Sequence, residues 1–523
     1  MGIRWLSTPQ RILPVLLILI LVLVFHLLDQ SPAIFIRGDG TDNDNDDHAQ
    51  RPPKNLHFLV PASSSNANLC KLMVSAAILA YPSPAILNWD APFDDPNLVE
   101  AGSHVAKITG AHEYLQNLDA SHDEDIVLMV DGHDVWMQLR PQVLIDRFHE
   151  INRQADARTR KELGKRVVQR HGLKQKIVMG SQKGCWPWTF NDPPCYAVPT
   201  SPLPEDVYGP ETDTEIKDGL SPYQKYSQRF LNSGVMVGEL GAMRKLFAQA
   251  MEQLKAEPNI GSDQYIFSHI LGDQQIYRET LLNNIPQTIR KYKQWNKELS
   301  PSDERIRTHL HEVREKAAAR GDKSFEFGIG VDHTSLLGLD TVFAEDDTEW
   351  LHFNDSYQLS LAQQEKQLPS TSNPLSLNKD IQHSLPPFWT FTTEPFLPSR
   401  KHPWSQTPLF TNIYTGITPA AIHHNAHRGD RETLRETWWD KTWYFPHLRT
   451  LYDVAMYTPT LPVAFSNGRE WWPYETWKGG GRNGISGPGN SSPGAWIPFE
   501  DLCVEHHEEV FRDGMGRWRR PQG

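Results

Sequence analysis

The sequence predicts an α/β protein with a mostly parallel sheet and helices on both faces. Three observations carry that expectation. Short apolar runs, such as Leu56–Ala62 (LHFLVPA) and Ile126–Val130 (IVLMV), read as buried strands. Longer stretches with apolar residues at helical spacing separate them. The two kinds alternate from Leu56 to Gln182, the pattern of βαβ units.

In order, Leu56–Ala62 is the first strand, and Ser63–Tyr81 is a loop followed by a helix. Ala85–Trp89 is the second strand and His104–Leu118 the next helix. Asp125–Val130 is the third strand, followed by the helix Pro141–Gln154. Ala155–Gln175 is a charge-rich helical stretch with the composition of a solvated face. Lys176–Gln182 is the fourth strand, and residues 199–222 form a Pro- and acid-rich loop. Arg229–Leu240 reads as a strand entered through a tight Asn-Ser-Gly turn. Gly241–Lys255 and Ser262–Leu271 are amphipathic helices, and Phe327–His333 holds a further core strand. Residues 355–408 are polar and Pro-rich, expected as loop, and Glu432–Leu451 is expected as a helix. Beyond about 458 the chain is rich in Trp, Gly and Pro, expected as a tail that wraps the domain or is partly disordered. The expected organisation is 1–30 cytoplasmic tail and anchor, 31–54 flexible stem, 55–457 α/β domain and 458–523 tail.

With 523 residues, 39% apolar and 22% charged, the chain can bury a substantial core. Its formal net charge of −12 leaves no basic field, so a nucleic acid polymer is excluded as a partner. Ile12–Leu28 (ILPVLLILILVLVFHLL) is about the shortest run expected to span a bilayer. Arg4 and Arg11 precede it and the acidic Gly38–Asp47 follows, which orients the amino terminus to the cytoplasm. A cleaved signal peptide is the alternative. Either way the rest enters the secretory lumen, as a single-pass type II protein of the Golgi or ER if the anchor stays. Four cysteines, Cys70, Cys185, Cys195 and Cys503, suit that compartment. They allow three pairings; Cys185 with Cys195, flanking CWPWTFNDPPC, is the favoured one. Asn354 and Asn490 begin acceptor sequons for glycosylation.

The chemistry concentrates where strands end. Ligands of parallel α/β sheets bind beyond the carboxyl ends of the strands. Asp131-Gly132-His133-Asp134 stands at such an end. Asp131 and Asp134, three residues apart on a turn, can converge on one Mg²⁺ or Mn²⁺, or DGHD is simply a polar turn. His423-His424-Asn425-Ala426-His427 offers imidazoles; if helical, it would put His423 and His427 on one face, as a metal site or a surface tract. Asp263 opens a helix, where it either caps the first turn or orients an acceptor hydroxyl. Trp186 and Trp188 either stack on a sugar or base or pack locally.

The order of these pieces is DGHD, GCWP (Gly184–Pro187), RFLNSG (Arg229–Gly234), SDQ (Ser262–Gln264), VDH (Val331–His333) and IHHN (Ile422–Asn425). This series resembles the glycosyltransferase domain of the procollagen lysyl hydroxylases and the collagen galactosyltransferases, over roughly residues 56–450. The resemblance implies a GT-A fold and transfer of galactose or glucose from a UDP-sugar, assisted by Mn²⁺ or Mg²⁺. It implies Asp131 and Asp134 as metal ligands, with His423 in the late-histidine position and His424 as its register alternative. It also implies Asp263 and Trp186 near the reacting sugar and Asn232, Ser233 and Gly234 shaping the donor pocket. Val60, Pro61 and Ala62 would border the nucleoside, and Lys107 would meet the diphosphate. Gly261 and Ser262 stand where the family often has acidic residues, and HHNA replaces its HGNG. No HxD…H iron set is found, so lysine hydroxylation is not implied, and the acceptor is an unspecified protein or glycan. Two alternatives remain open at this point: a metal-dependent lumenal hydrolase, and a catalytically silent carbohydrate-binding protein on the same fold.

Overall fold

A computed structural model describes residues 51–90, 102–215, 222–257, 261–282, 301–368, 374–426, 430–484 and 494–521. The expected anchor at 12–28, most of the stem, the Asn490 sequon and His427 lie outside the described residues. Among the described residues no helix is long and apolar enough to cross a membrane.

The elements follow the expected alternation. β1 (Lys54–Pro61) leads to α1 (Ala67–Ile78), whose first turn is capped by the side chain of Asn66 accepting from the Leu69 amide. β2 (Ala85–Leu87), α2 (Gly102–Gln116), β3 (Ile126–Val130), β4 (Val135–Met137) and α3 (Pro141–Leu163) come next. Then follow α4 (Lys165–His171), β5 (Ile177–Gln182), β6 (Phe230–Glu239), α5 (Leu240–Ala256) and α6 (Asp263–Thr280). α7 (Asp303–Ala319), β7 (Ile329–Val331), β8 (Gly338–Asp340) and β9 (Thr348–Leu351) lead to α8 (Ser356–Glu365) and α9 (Lys379–His383). β10 (Leu409–Asn412), β11 (Ala421–His423), α10 (Asp430–Thr437) and α11 (Leu448–Tyr457) precede β12 (Ala464–Ser466), β13 (Arg469–Pro473), β14 (Gly480–Asn483) and β15 (Trp496–Pro498).

A ten-stranded, mixed but mostly parallel sheet forms the centre, with β15-β14-β2-β1-β3-β6-β5-β7 as its main path. β1 pairs in parallel with β2 and β3, while β6 runs antiparallel between β3 and β5. Strand alternation splits the core in two. Leu56, Phe58, Val60, Ile126, Leu128 and Val130 face one apolar layer, with α1 and α3 residues such as Leu72 and Phe148. Leu59, Val127 and Met129 face the other, with Ile108 of α2, Phe247 of α5 and Phe267 of α6. Helices therefore cover both faces, as the apolar runs predicted.

Four expectations are corrected. The helical face that could have joined His423 to His427 is not formed at His423: Ala421–His423 is a strand between β4 and β8, because its backbone groups pair on both sides. Asn232, Ser233 and Gly234 do not form an entry turn but lie within β6, where the pairing with β5 jumps from Met179↔Met236 to Gly180↔Asn232. Residues 355–408 include α8 and α9, and Glu432–Leu451 is broken by single turns at Trp439–Lys441 and Phe445–His447 before α11 begins. The Trp-rich segment after 458 does more than wrap: β13 pairs with Lys54–Leu56 of β1, and β14 pairs with β2. Aperiodic composition hid these strands because each is short and partnered far away in sequence. Cys185 bonds Cys195 as favoured, and Cys70 of α1 bonds Cys503, tying this segment to the first helix.

Candidate metal centre

β3 ends at Val130, and DGHD turns the chain back into β4. The turn presses on the end of β1: a side chain at Gly132 would meet the Pro61 carbonyl oxygen at 2.6 Å and the Val60 side chain at 3.1 Å. Gly132 is thus required by close approach. Val60 is fully buried beneath this turn, so it shapes the floor of the site rather than an open wall.

β11 delivers His423 to the same end. Its Nε2 lies 3.4 Å from Asp134 Oδ1 and 3.8 Å from Asp131 Oδ2. These three side chains, far apart in sequence, could hold a metal ion, since each offers a ligand atom within 4.8 Å of the others. Asp134 Oδ1 is buried and makes no hydrogen bond of good geometry; its charge partner is His423 Nε2. Asp131 keeps 32% of its side chain exposed, so the cluster is open on one side.

The tautomer of His423 is set from behind. Its Nδ1 hydrogen-bonds Asp340 Oδ1, a carboxylate 1% exposed at the end of β8. Such a carboxylate holds the proton on Nδ1 and leaves Nε2 for a ligand. Asn425 Nδ2 donates to the same Asp340 oxygen at 3.2 Å. Gly234 completes the arrangement, because a Cβ there would sit 2.0 Å from His423 Cε1. The Asn-Ser-Gly segment in β6 therefore makes room for the imidazole. The Asn232 side chain holds its bend, accepting from the Gly234 amide at 2.8 Å and donating to Gln182 at 2.8 Å.

Lys107 of α2 enters from the other side. Its ammonium contacts Asp131 at 2.7 Å, Asp263 at 2.8 Å and the Ser233 carbonyl at 2.9 Å. Burial disfavours this charge, but Asp131 and Asp263 outweigh it and hold the ammonium protonated. Asp263 is the first residue of α6, and Ser262, not Asp263, is the cap position. Its buried carboxylate anchors Lys107. Gln264, beside it, donates to the Trp186 carbonyl at 2.8 Å and ties the CWP loop to the same corner. The Trp186 ring is 59% exposed. Trp188 instead packs: it stacks on Tyr265 at 4.0 Å and donates to Ser268 at 2.9 Å.

Electrostatics follow from crowding. Burial raises the Asp131 carboxyl despite Lys107. Burial opposes ionisation of Asp134 too, but His423 and Arg435 together hold it well below the usual range. Burial opposes a charge on His423, yet Asp134 and Asp340 lift its imidazole to about 10, so an ion at Nε2 would displace a proton there. Arg435 of α10 reaches Asp134 at 3.1 Å.

His424 does not join the cluster. Adjacent residues of an extended chain point to opposite sides. Its ring lies 3.8 Å from Trp136 and 5.8 Å from Trp438, fully buried, and burial drives it to the neutral form. The register alternative is thereby removed. Asp332 and His333 of VDH are buried away from this cluster, with Asp332 accepting from the Leu337 amide at 2.6 Å. Asp340 and Arg435 were missed in the sequence. For Asp340 a signal existed: Leu336-Leu337-Gly338-Leu339 runs straight into it, the pattern that marked Asp131. No protein-family model matches the chain, and no curated protein matches it.

Proposed function

We propose that the chain is a metal-dependent glycosyltransferase of GT-A type, moving galactose or glucose from a UDP-sugar to a protein or glycan acceptor in the Golgi or ER lumen. The observation that carries this reading is the meeting of Asp131, Asp134 and His423 at the carboxyl ends of strands. The donor set of two carboxylates and one imidazole fits Mn²⁺ or Mg²⁺. When bound there, such an ion would neutralise the charge growing on a departing diphosphate.

The chain's own residues do the rest. Asp340 keeps the proton on Nδ1 of His423, and Gly234 leaves the ring its space. Lys107 offsets Asp131 and Asp263, so that the pocket does not repel a diphosphate. Its ammonium already has three partners, so a direct phosphate contact would cost it one of them. Asp263 acts as a positioning residue for Lys107 rather than as a base. Trp186 offers an exposed ring for a sugar at the rim. The two disulfides and the exposed Asn354 sequon suit a lumenal setting. The test is nucleotide release from a panel of UDP-sugars with and without Mn²⁺. We expect release of UDP from UDP-galactose or UDP-glucose that depends on the metal. Absence of both Mn²⁺-dependent UDP binding and turnover would leave the hydrolase reading standing instead.

A further inference from the structure

We propose that His57, His122 and Asp125 form a second metal site, of zinc type, at the opposite end of β3. It shares no residue with the first cluster and does not depend on the transferase reading. Asp125 precedes β3 and Asp131 follows it, so ~20 Å of strand separates them. His57 on β1 aims Nε2 at Asp125 Oδ2 at 3.1 Å. His122, in the short turn Ala120–His122, aims Nδ1 at the same oxygen at 2.7 Å. The three ligand atoms lie within 4.8 Å of one another. Two imidazole nitrogens and one carboxylate oxygen, with a water in the fourth place, make a zinc donor set.

The surroundings are those of a ligand site. The outer nitrogen of His57 is fixed by the Tyr114 hydroxyl at 2.9 Å. The outer oxygen of Asp125, Oδ1, accepts from the Asn55 amide at 3.1 Å, while the Asn55 side chain donates to Oδ2 at 3.1 Å, a bond that an ion would replace. Outer hydrogen bonds of this kind orient metal ligands. Tyr474 stacks on His57 at 4.0 Å and meets His122 edge-on at 5.5 Å. His122 stays 24% exposed, which leaves a path for the ion. Tyr474 directly follows β13, and its amide donates to the Leu56 carbonyl at 3.0 Å. The site thus sits on the seam where the C-terminal segment adds to β1. A metal there would clamp that seam.

The experiment measures zinc bound by the full chain carrying Asp131→Asn and Asp134→Asn, which silences the first cluster. We expect one zinc per chain, a rise in Tm on adding zinc, and a tetrahedral Co²⁺ absorption spectrum after exchange. Adding His122→Asn, which keeps a donor toward Asp125 but removes the imidazole, is expected to weaken zinc binding about 100-fold and abolish the Tm rise. His122→Ala, at a partly exposed turn, serves as a second variant should the first fold poorly. Failure of the double variant to bind zinc, or undiminished binding after loss of His122, overturns the proposal and leaves a hydrogen-bonded cluster only.

Discussion

The two ends of β3 carry the same side-chain types in opposite proportions. At the carboxyl end, Asp131, Asp134 and Asp340 surround one imidazole, His423. At the amino end, one carboxylate, Asp125, sits between His57 and His122. The first end is oxygen-rich and partly open, with Lys107 and Arg435 sharing its negative charge. The second is nitrogen-rich and covered by Tyr474. The difference teaches that donor chemistry and cover, not carboxylates alone, decide which ion a cluster suits. Oxygen donors with free positions suit a hard ion that also binds phosphate. Imidazoles under an aromatic lid suit an ion that stays.

The largest effect expected at the open end comes from Asp134→Ala. UDP-sugar turnover should fall by about 10³-fold or more, some 4 kcal/mol of transition-state stabilisation, while circular dichroism stays native. Wild-type-like turnover in that variant would remove the metal role of DGHD. Next is Gly234→Ala. The added methyl must displace His423 or bend β6, so Mn²⁺ affinity should drop about 100-fold with a stability loss of about 1–3 kcal/mol. Unchanged Mn²⁺ titration would show that His423 is dispensable for the ion. Asp340→Asn is milder. It keeps a hydrogen-bonding group but no longer dictates the tautomer, and metal affinity should fall about 10–100-fold with the fold intact. A calorimetric Kd equal to the native one would sink the positioning role.

An effect on stability alone, not on the ion, sharpens the contrast at the amino end. His149 lies near the same seam, 5.7 Å from the Trp471 ring, but has no carboxylate partner. Burial, then Arg469, Lys174 and Arg51, push its imidazole down to about 4. The unfolded chain takes up this proton below about 6.5, the folded chain only near 4. Stability is therefore fully present above pH 6.5 and is lost as pH falls toward 4, by up to ~3 kcal/mol. His149→Phe should flatten that part of the curve in urea melts between pH 7 and 4.5. An unaltered slope would assign the acid sensitivity to other groups.

Much of the central sheet was legible because its strands are short apolar runs bounded by turn residues. Ile126–Val130 followed by DGHD announced both a buried strand and its polar end. The helices α2, α5 and α6 were legible from their periodicity. β11 was not, since three residues with two neighbours far along the chain leave no local period. β13 and β14 escaped for the same reason, inside a segment whose Trp and Gly content suggested a tail. Asp340 escaped because one carboxylate after a short apolar run looks ordinary until an imidazole is laid against it.

By itself, the order of residues determined that two carboxylates would close a buried strand, because neighbouring residues encode turn and strand directly. It also determined that glycine, not a larger residue, would stand at 132 and 234. Only the tertiary structure decided that His423 meets those carboxylates while His424 turns into the tryptophans. The register of β11 between β4 and β8 makes that choice, since one step along an extended chain reverses the face to which every side chain points.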